Sequence, residues 1–248
     1  MAKEKAEFDK FVEDYNETIV QDLGKFGKYR DTAFVYKANY LKNLLKIAPK
    51  TILDFGCGIG SLIPYLHEKF KETKLHGCDI SSDSIETAKK SHPYCDFMVV
   101  ENTTDLQKYG KIDCIIINTV MHHIPQDEHE TWLNGLYNIL SEDGMLVIFE
   151  HNMKNPITNQ FVKRTKIDEN ATMLSSKYCK RILLNRFYET SVKDKDIVLN
   201  KDSVSLRYTY FSPLRNKFVE FIECFLFWLP LGAQYVVIAQ KTKNKGES

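Results

Sequence analysis

Residues 51–60 read Thr-Ile-Leu-Asp-Phe-Gly-Cys-Gly-Ile-Gly, and this stretch decides the fold. An apolar run of strand length ends in three alternate glycines at the mouth of a helix-spaced segment, Leu62 to Phe70. A missing Cβ lets the backbone turn tightly and approach a ligand at contact distance. The spacing is not the dinucleotide fingerprint G-x-G-x-x-G, because Ser61 stands where the third glycine is needed. Asp54, directly before the loop, would repel a pyrophosphate and suits a cationic ligand.

Downstream, the same alternation continues. Strand-like KLHGCDI (74–80) precedes helix-like SSDSIETAKK (81–90); CDFMVV (95–100) follows; KIDCIIIN (111–118) precedes HETWLNGLYNIL (129–140); and GMLVIFE (144–150) ends the series. This β-α repetition predicts a mostly parallel sheet with helices on both faces, and such sheets bind ligands at the carboxyl ends of their strands. Asp79 closes the second run, where a carboxylate can accept from both hydroxyls of a ribose; Ser81 or Ser82 serves as the cap of the next helix. Asn102 follows the third run, where it either meets an adenine edge or holds a turn. His122 and His123 follow the fourth, and Glu150 and His151 the fifth. Upstream, Phe8, Phe11, Val12 and Tyr15, then Phe34, Ala38, Leu41 and Leu44, have helical spacing until Pro49 stops the run.

The 248 residues carry 34 Lys and Arg against 33 Asp and Glu, so no global field draws the chain to nucleic acid or anionic membrane. Six scattered cysteines without a C-x-x-C pair read as reduced thiols of a cytoplasmic protein, not a disulfide framework or zinc site. The N-terminal MAKEKAEFDKFVEDYN lacks the apolar core of a signal peptide. Phe218–Gly232 is interrupted by Glu220, Glu223 and Pro230 and is too short to span a bilayer; its apolar stripe packs on the sheet or on a second subunit, which leaves a homodimer open. After Glu150 the repetition breaks, and residues 152–205 read as a helical cap. Residues 152–190 hold eight Lys and Arg against three Asp and Glu, so the positive charge is concentrated there.

LDFGCGIG, GCDIS, KIDCIIINTVMHHIP and GMLVIFEHN, in this order and spacing, resemble the motifs of class I S-adenosylmethionine-dependent methyltransferases. The resemblance covers residues 50–151, and the opening FDKFVEDYN is similar to the first helix of small-molecule members related to quinone and sugar methyltransferases. It implies an α/β, Rossmann-like sheet of seven strands, mostly parallel, with the last antiparallel. It also implies that Gly56, Gly58 and Gly60 approach the methionine and ribose of S-adenosylmethionine, that Asp79 holds the ribose, that Asn102 lies at the adenine and that Asn118 offers its backbone near the amino-acid end. The family usually has aspartate where Asn102 stands. The sulfonium and ammonium of that cofactor account for Asp54.

The expected organisation is one domain: a lid (1–48), a cofactor core (49–151), a substrate cap (152–205) and C-terminal strands with a helix (206–243). The expected reaction moves methyl to a small acceptor, with oxygen the favoured atom, and leaves S-adenosylhomocysteine. His123, ahead of His122 and Glu150, is the expected proton acceptor; Tyr15, His151, Arg164 and Arg181 are the expected substrate contacts, the arginines for an anionic group. No metal is expected, because adjacent histidines are not by themselves a chelating pattern. Two rivals remain: a nucleic-acid methyltransferase, against which stand NTVM in place of an amino-methylation motif and the neutral charge, and a non-catalytic cofactor-binding regulator, which would need no cap.

Overall fold

The computed structural model describes residues 30–193, 204–209 and 228–241. Tyr15, the start of the lid and most of the apolar stripe from Phe218 lie outside them. Seven strands form one sheet: β1 (Thr51–Phe55), β2 (Lys74–Asp79), β3 (Asp96–Val99), β4 (Ile112–Asn118), β5 (Leu140–His151), β6 (Val204–Thr209) and β7 (Gln234–Gln240). Their order is β3-β2-β1-β4-β5-β7-β6. β1 pairs in parallel with β2 and β4, and β4 with β5, while β7 runs antiparallel to β5 and β6. The winding reverses between β1 and β4, so their carboxyl ends flank the crevice where this architecture takes ligands.

Six α-helices are described: α1 (Arg30–Leu44), α2 (Ile63–Lys69), α3 (Ser82–Ser91), α4 (His129–Ile139), α5 (Pro156–Val162) and α6 (Ser176–Lys193). Ser81 caps α3 by accepting from the Ser84 amide at 3.0 Å. Asn155 caps α5 through the Ile157 and Thr158 amides, with Pro156 supplying a preset φ in the first turn.

Alternate residues of the strands divide the core in two. Ile52, Cys114, Ile116, Val147 and Phe149 pack against Ala38 and Leu41 of α1 and Ile63 and Leu66 of α2. Leu53, Ile115, Ile117 and Ile148 pack against Leu133 and Leu136 of α4 and Cys179 and Leu183 of α6. The period of two fixes which face the next polar residue meets. Asp54 and Asn118 continue the α1 face, and Glu150 continues the face that the cap covers. Helix α6, which lies in the segment expected as a cap, packs into the sheet core through Cys179, Leu183 and Phe187, with Ser176 against the Tyr208 hydroxyl at 2.8 Å and the Tyr235 hydroxyl donating to the nearby Leu174 carbonyl at 3.0 Å.

Candidate functional site

Gly56, Gly58 and Gly60 all take positive φ, at 72°, 53° and 80°. At Gly56 a Cβ would lie 2.5 Å from Cγ2 of Val120, so contact and conformation both require glycine. At Gly58 a Cβ would meet nothing within 4 Å among the described residues, and there the backbone angle alone demands glycine. The Gly58 amide donates to Oδ2 of Asp79 at 2.8 Å and the Ser81 amide to Oδ1 at 3.0 Å. Asp79 therefore ties the loop to the end of β2. Asn102 is exposed, and its Oδ1 accepts from the Thr104 amide and hydroxyl and the Asp105 amide, so the structure gives it the turn role.

One important residue escaped the sequence reading. Lys37, in the middle of α1, is 4% exposed, and its ammonium donates to Oδ1 of Asn118 at the end of β4. Burial brings its pKa down to about 8, against the attraction of Glu150 and Asp54. Asp54 is 2% exposed; burial, with the Asp79 charge adding to it, pushes its carboxyl up to about 7 while Lys37 pulls the other way. Lys37 thus stands between the glycine loop and the carboxyl end of β5. Its position, three residues after Phe34 and four before Leu41, was the available signal: a cation within an apolar helical stripe.

Beyond β4 the backbone is strained. Thr119 has φ 55°, costly for a β-branched residue, and its amide donates to the Phe149 carbonyl at 2.8 Å. A turn of 3-10 helix, Met121–His123, follows. His129 of α4 holds it, its Nε2 meeting the Met121 and Ile124 carbonyls at 2.9 and 3.0 Å and its Nδ1 the Tyr178 hydroxyl at 2.9 Å. The cap clasps the same turn from outside, since the Thr172 amide donates to the His122 carbonyl at 2.9 Å.

His122 is buried between two carboxylates. Nδ1 lies 2.6 Å from Oε2 of Glu150, and Nε2 lies 3.3 Å from Oδ1 of Asp168. Nε2 of half-buried His123 approaches that same Asp168 oxygen at 3.4 Å. Burial opposes a charge on His122, but the two carboxylates outweigh it and raise its pKa to about 10. Burial likewise opposes the Asp168 charge, yet His122 and His123 hold that carboxyl below the usual range. Glu150 is also held low despite burial, through His122. His151, its ring 5.4 Å from that of His122, is lowered to about 4 by burial and then by the His122 charge.

A residue with both ring nitrogens engaged and its proton held to about pH 10 is a poor general base, which counts against the expected proton-accepting role of His122. His122 is buried and His123 half-buried, and both converge on Asp168, which the sequence reading had not singled out. Arg164 and Arg181 are exposed, and the Arg181 guanidinium lies 5.5 Å over the Tyr178 ring. The cap side chain that joins the cluster is acidic. Among the described residues, no helix is long and apolar enough to cross a membrane.

Residues 53–146 match a family described as a methyltransferase domain. The tRNA N(3)-methylcytidine methyltransferase trm141 of Schizosaccharomyces pombe is 28% identical over 158 residues, 58% of this chain and 64% of that protein. Trans-aconitate 2-methyltransferase of an Azoarcus species is 30% identical over 101 residues, 40% of this chain and 38% of its own. The chain thus spans less than two thirds of the length of these relatives. A crystal structure of the plantazolicin methyltransferase BpumL in complex with a monoazolic desmethylPZN analog and SAH superposes with a TM-score of 0.63 at 16% identity, covering 96% of this chain and 100% of that one.

Proposed function

We propose that the chain, whose residues 53–146 match a methyltransferase domain, is a class I S-adenosylmethionine-dependent enzyme that methylates a small acceptor at oxygen. The observation that carries the reading is the loop at Gly58: a positive-φ backbone, anchored on Asp79 and backed by buried Asp54 and Lys37. The residues fit the cofactor in charge as well as shape. Asp79 and the glycines hold the ribose side, Asp54 answers the cationic centres, and Lys37 with Asn118 answers the carboxylate.

Bound there, the cofactor supplies a methyl group on a sulfonium, which leaves as a neutral thioether when the acceptor's lone pair attacks. Little covalent work is left to the protein beyond alignment and handling of the acceptor's proton. His123 and Asp168 form the acceptor-activating pair at the carboxyl edge, and Glu150 holds His122 beside them. His151, neutral at physiological pH, adds a wall to that side. The basic excess of the cap, with Arg164 and Arg181 exposed, supports an acceptor bearing a phosphate or carboxylate.

The likeness to trm141 favours a second reading, methylation of tRNA. Incubation with methyl-labelled S-adenosylmethionine and separate small-metabolite and tRNA fractions distinguishes them: label in small anionic metabolites is the expected result, and label in tRNA alone transfers the case to the rival. Calorimetry tests the shared premise. S-adenosylmethionine and S-adenosylhomocysteine should bind, NAD should not, and Asp79→Ala should weaken binding by roughly 2–4 kcal/mol as two charge-assisted hydrogen bonds and the loop anchor are lost. Absence of any adenosyl ligand would overturn the proposal.

A further inference from the structure

The arrangement at Asp168 has a feature that hydrogen bonding explains poorly. One carboxylate oxygen faces two imidazole Nε2 atoms at nearly equal distances, 3.3 Å from His122 and 3.4 Å from His123. Both exceed the roughly 2.7–2.9 Å of a charge-assisted N–H···O contact. They equal the edge of a coordination tetrahedron: ligands about 2.0–2.1 Å from a zinc ion stand about 3.3–3.4 Å apart. The two rings lie with centroids 4.1 Å apart, and one ligand atom from each of the three residues falls within 4.8 Å of the others.

The surroundings point the same way. His122 offers Nδ1 to Glu150 at 2.6 Å, which fixes the ring and leaves Nε2 turned to Asp168; a carboxylate behind a metal-binding imidazole is the usual second layer of such a site. Among the described residues, Oε1 of Glu150, a residue 1% exposed, has no hydrogen-bond partner. A buried carboxylate oxygen without a donor is expensive, and an added positive charge beside His122 relieves it.

We propose that His122, His123 and Asp168 bind a divalent transition-metal ion, zinc in geometry, with the fourth position open to the acceptor. Two imidazoles and one carboxylate are a donor set suited to such ions and leave room for an outside ligand. The inference rests on the methyltransferase reading and states how the His123–Asp168 pair activates the acceptor. An acceptor hydroxyl at the open position loses its proton to solvent more readily, and the new bond forms at that oxygen as the methyl–sulfur bond breaks. The cap closes over the site with a ligand of its own, so metal occupancy and cap docking reinforce each other.

The test uses the full chain after chelator treatment and desalting. Calorimetry with zinc should give one site per chain, and cobalt(II) should give the intense visible spectrum of a tetrahedral centre without a thiolate charge-transfer band. His123→Ala and Asp168→Ala should each weaken zinc binding at least 30-fold, Glu150→Gln by about 10- to 100-fold, and His67→Ala, on the exposed surface of α2, should leave it unchanged. Binding of S-adenosylhomocysteine, measured on every variant, reports folding independently of the metal. No zinc site in the parent chain, a thiolate band with cobalt, or unchanged affinity in both ligand variants overturns the inference. If S-adenosylhomocysteine binds and zinc does not, the metal alone is lost; if zinc binds and S-adenosylhomocysteine does not, the methyltransferase reading falls.

Discussion

Asp54→Asn should make the ligand-free protein more stable at pH 8 while weakening its hold on the cofactor. The Asp54 carboxyl titrates near 3.8 in an unfolded chain and near 7 in the folded one. Between those values the native state binds more protons than the unfolded state. Its contribution is fully present below about pH 4, falls as pH rises and is lost once pH passes about 7. Each unit is about 1.36 kcal/mol, so the parent should lose about 3 kcal/mol between pH 5 and pH 8 through this group alone. An asparagine has no such loss. Urea unfolding of both proteins across that range reads the effect as a difference, in which the uncoupled titrations cancel and Lys37, whose pKa Asp54 raises, is the partner that shifts with it. The gap should widen by about 3 kcal/mol in favour of the variant. With saturating S-adenosylhomocysteine, whose ammonium favours the ionised carboxylate, the order should reverse. A gap constant to within about 1 kcal/mol from pH 5 to 8 would refute the claim that burial withholds the charge of Asp54.

Other outcomes follow from the same geometry. Gly56→Ala should cost about 2–4 kcal/mol in thermal unfolding, because strain at φ 72° adds to the Val120 clash, whereas Gly58→Ala, with strain but no clash, should cost about half that. Lys37→Met removes a buried ammonium depressed to about 8; it should abolish the gain in stability that the parent shows as pH rises from about 8 to 10.5, and calorimetry should show S-adenosylhomocysteine binding weakened at least tenfold, about 1.4 kcal/mol. Tyr178→Phe breaks the tie from the cap to His129 and should cost about 1 kcal/mol by urea unfolding. If the acceptor is anionic, its KM should rise with salt and rise again in Arg181→Glu, with cofactor affinity unchanged; a KM indifferent to both removes the cap's charge from recognition.

The sheet was legible because hydrophobic periodicity is local. TILDF, KIDCIIIN and LVIFE announce buried strands wherever they sit, and the three alternate glycines after β1 mark a place where the backbone must turn with positive φ. The cap of α3 could be narrowed to Ser81 or Ser82 for the same reason, and the structure selects Ser81. Lys37 was less visible because a lysine on a helix is normally solvated; only its apolar neighbours betray it. Asp168 gave no local sign at all. It belongs to a short turn whose position is set by α5 and α6 packing on distant strands, and it reaches histidines 45 and 46 residues earlier in the chain through that packing alone. The basic excess of the cap was real in the sequence, but composition counts charges without saying which of them turn inward.

Strand β7 lies between β5 and β6 although it follows both in the chain. Until residues 234–240 arrive, β5 presents Val147, Ile148 and Phe149 on an open edge, and β6 has no place in the sheet. A bare apolar edge of this kind is a template for pairing with other chains. The growing polypeptide carries that hazard throughout synthesis of the cap, and closure depends on a contact between distant parts of the chain, which is slow to form. The last strand therefore acts as the seal of the sheet. Weakening it, for example with a charge at Val237, which is fully buried in β7, should appear first as aggregation during expression and only second as lost stability of molecules that did fold.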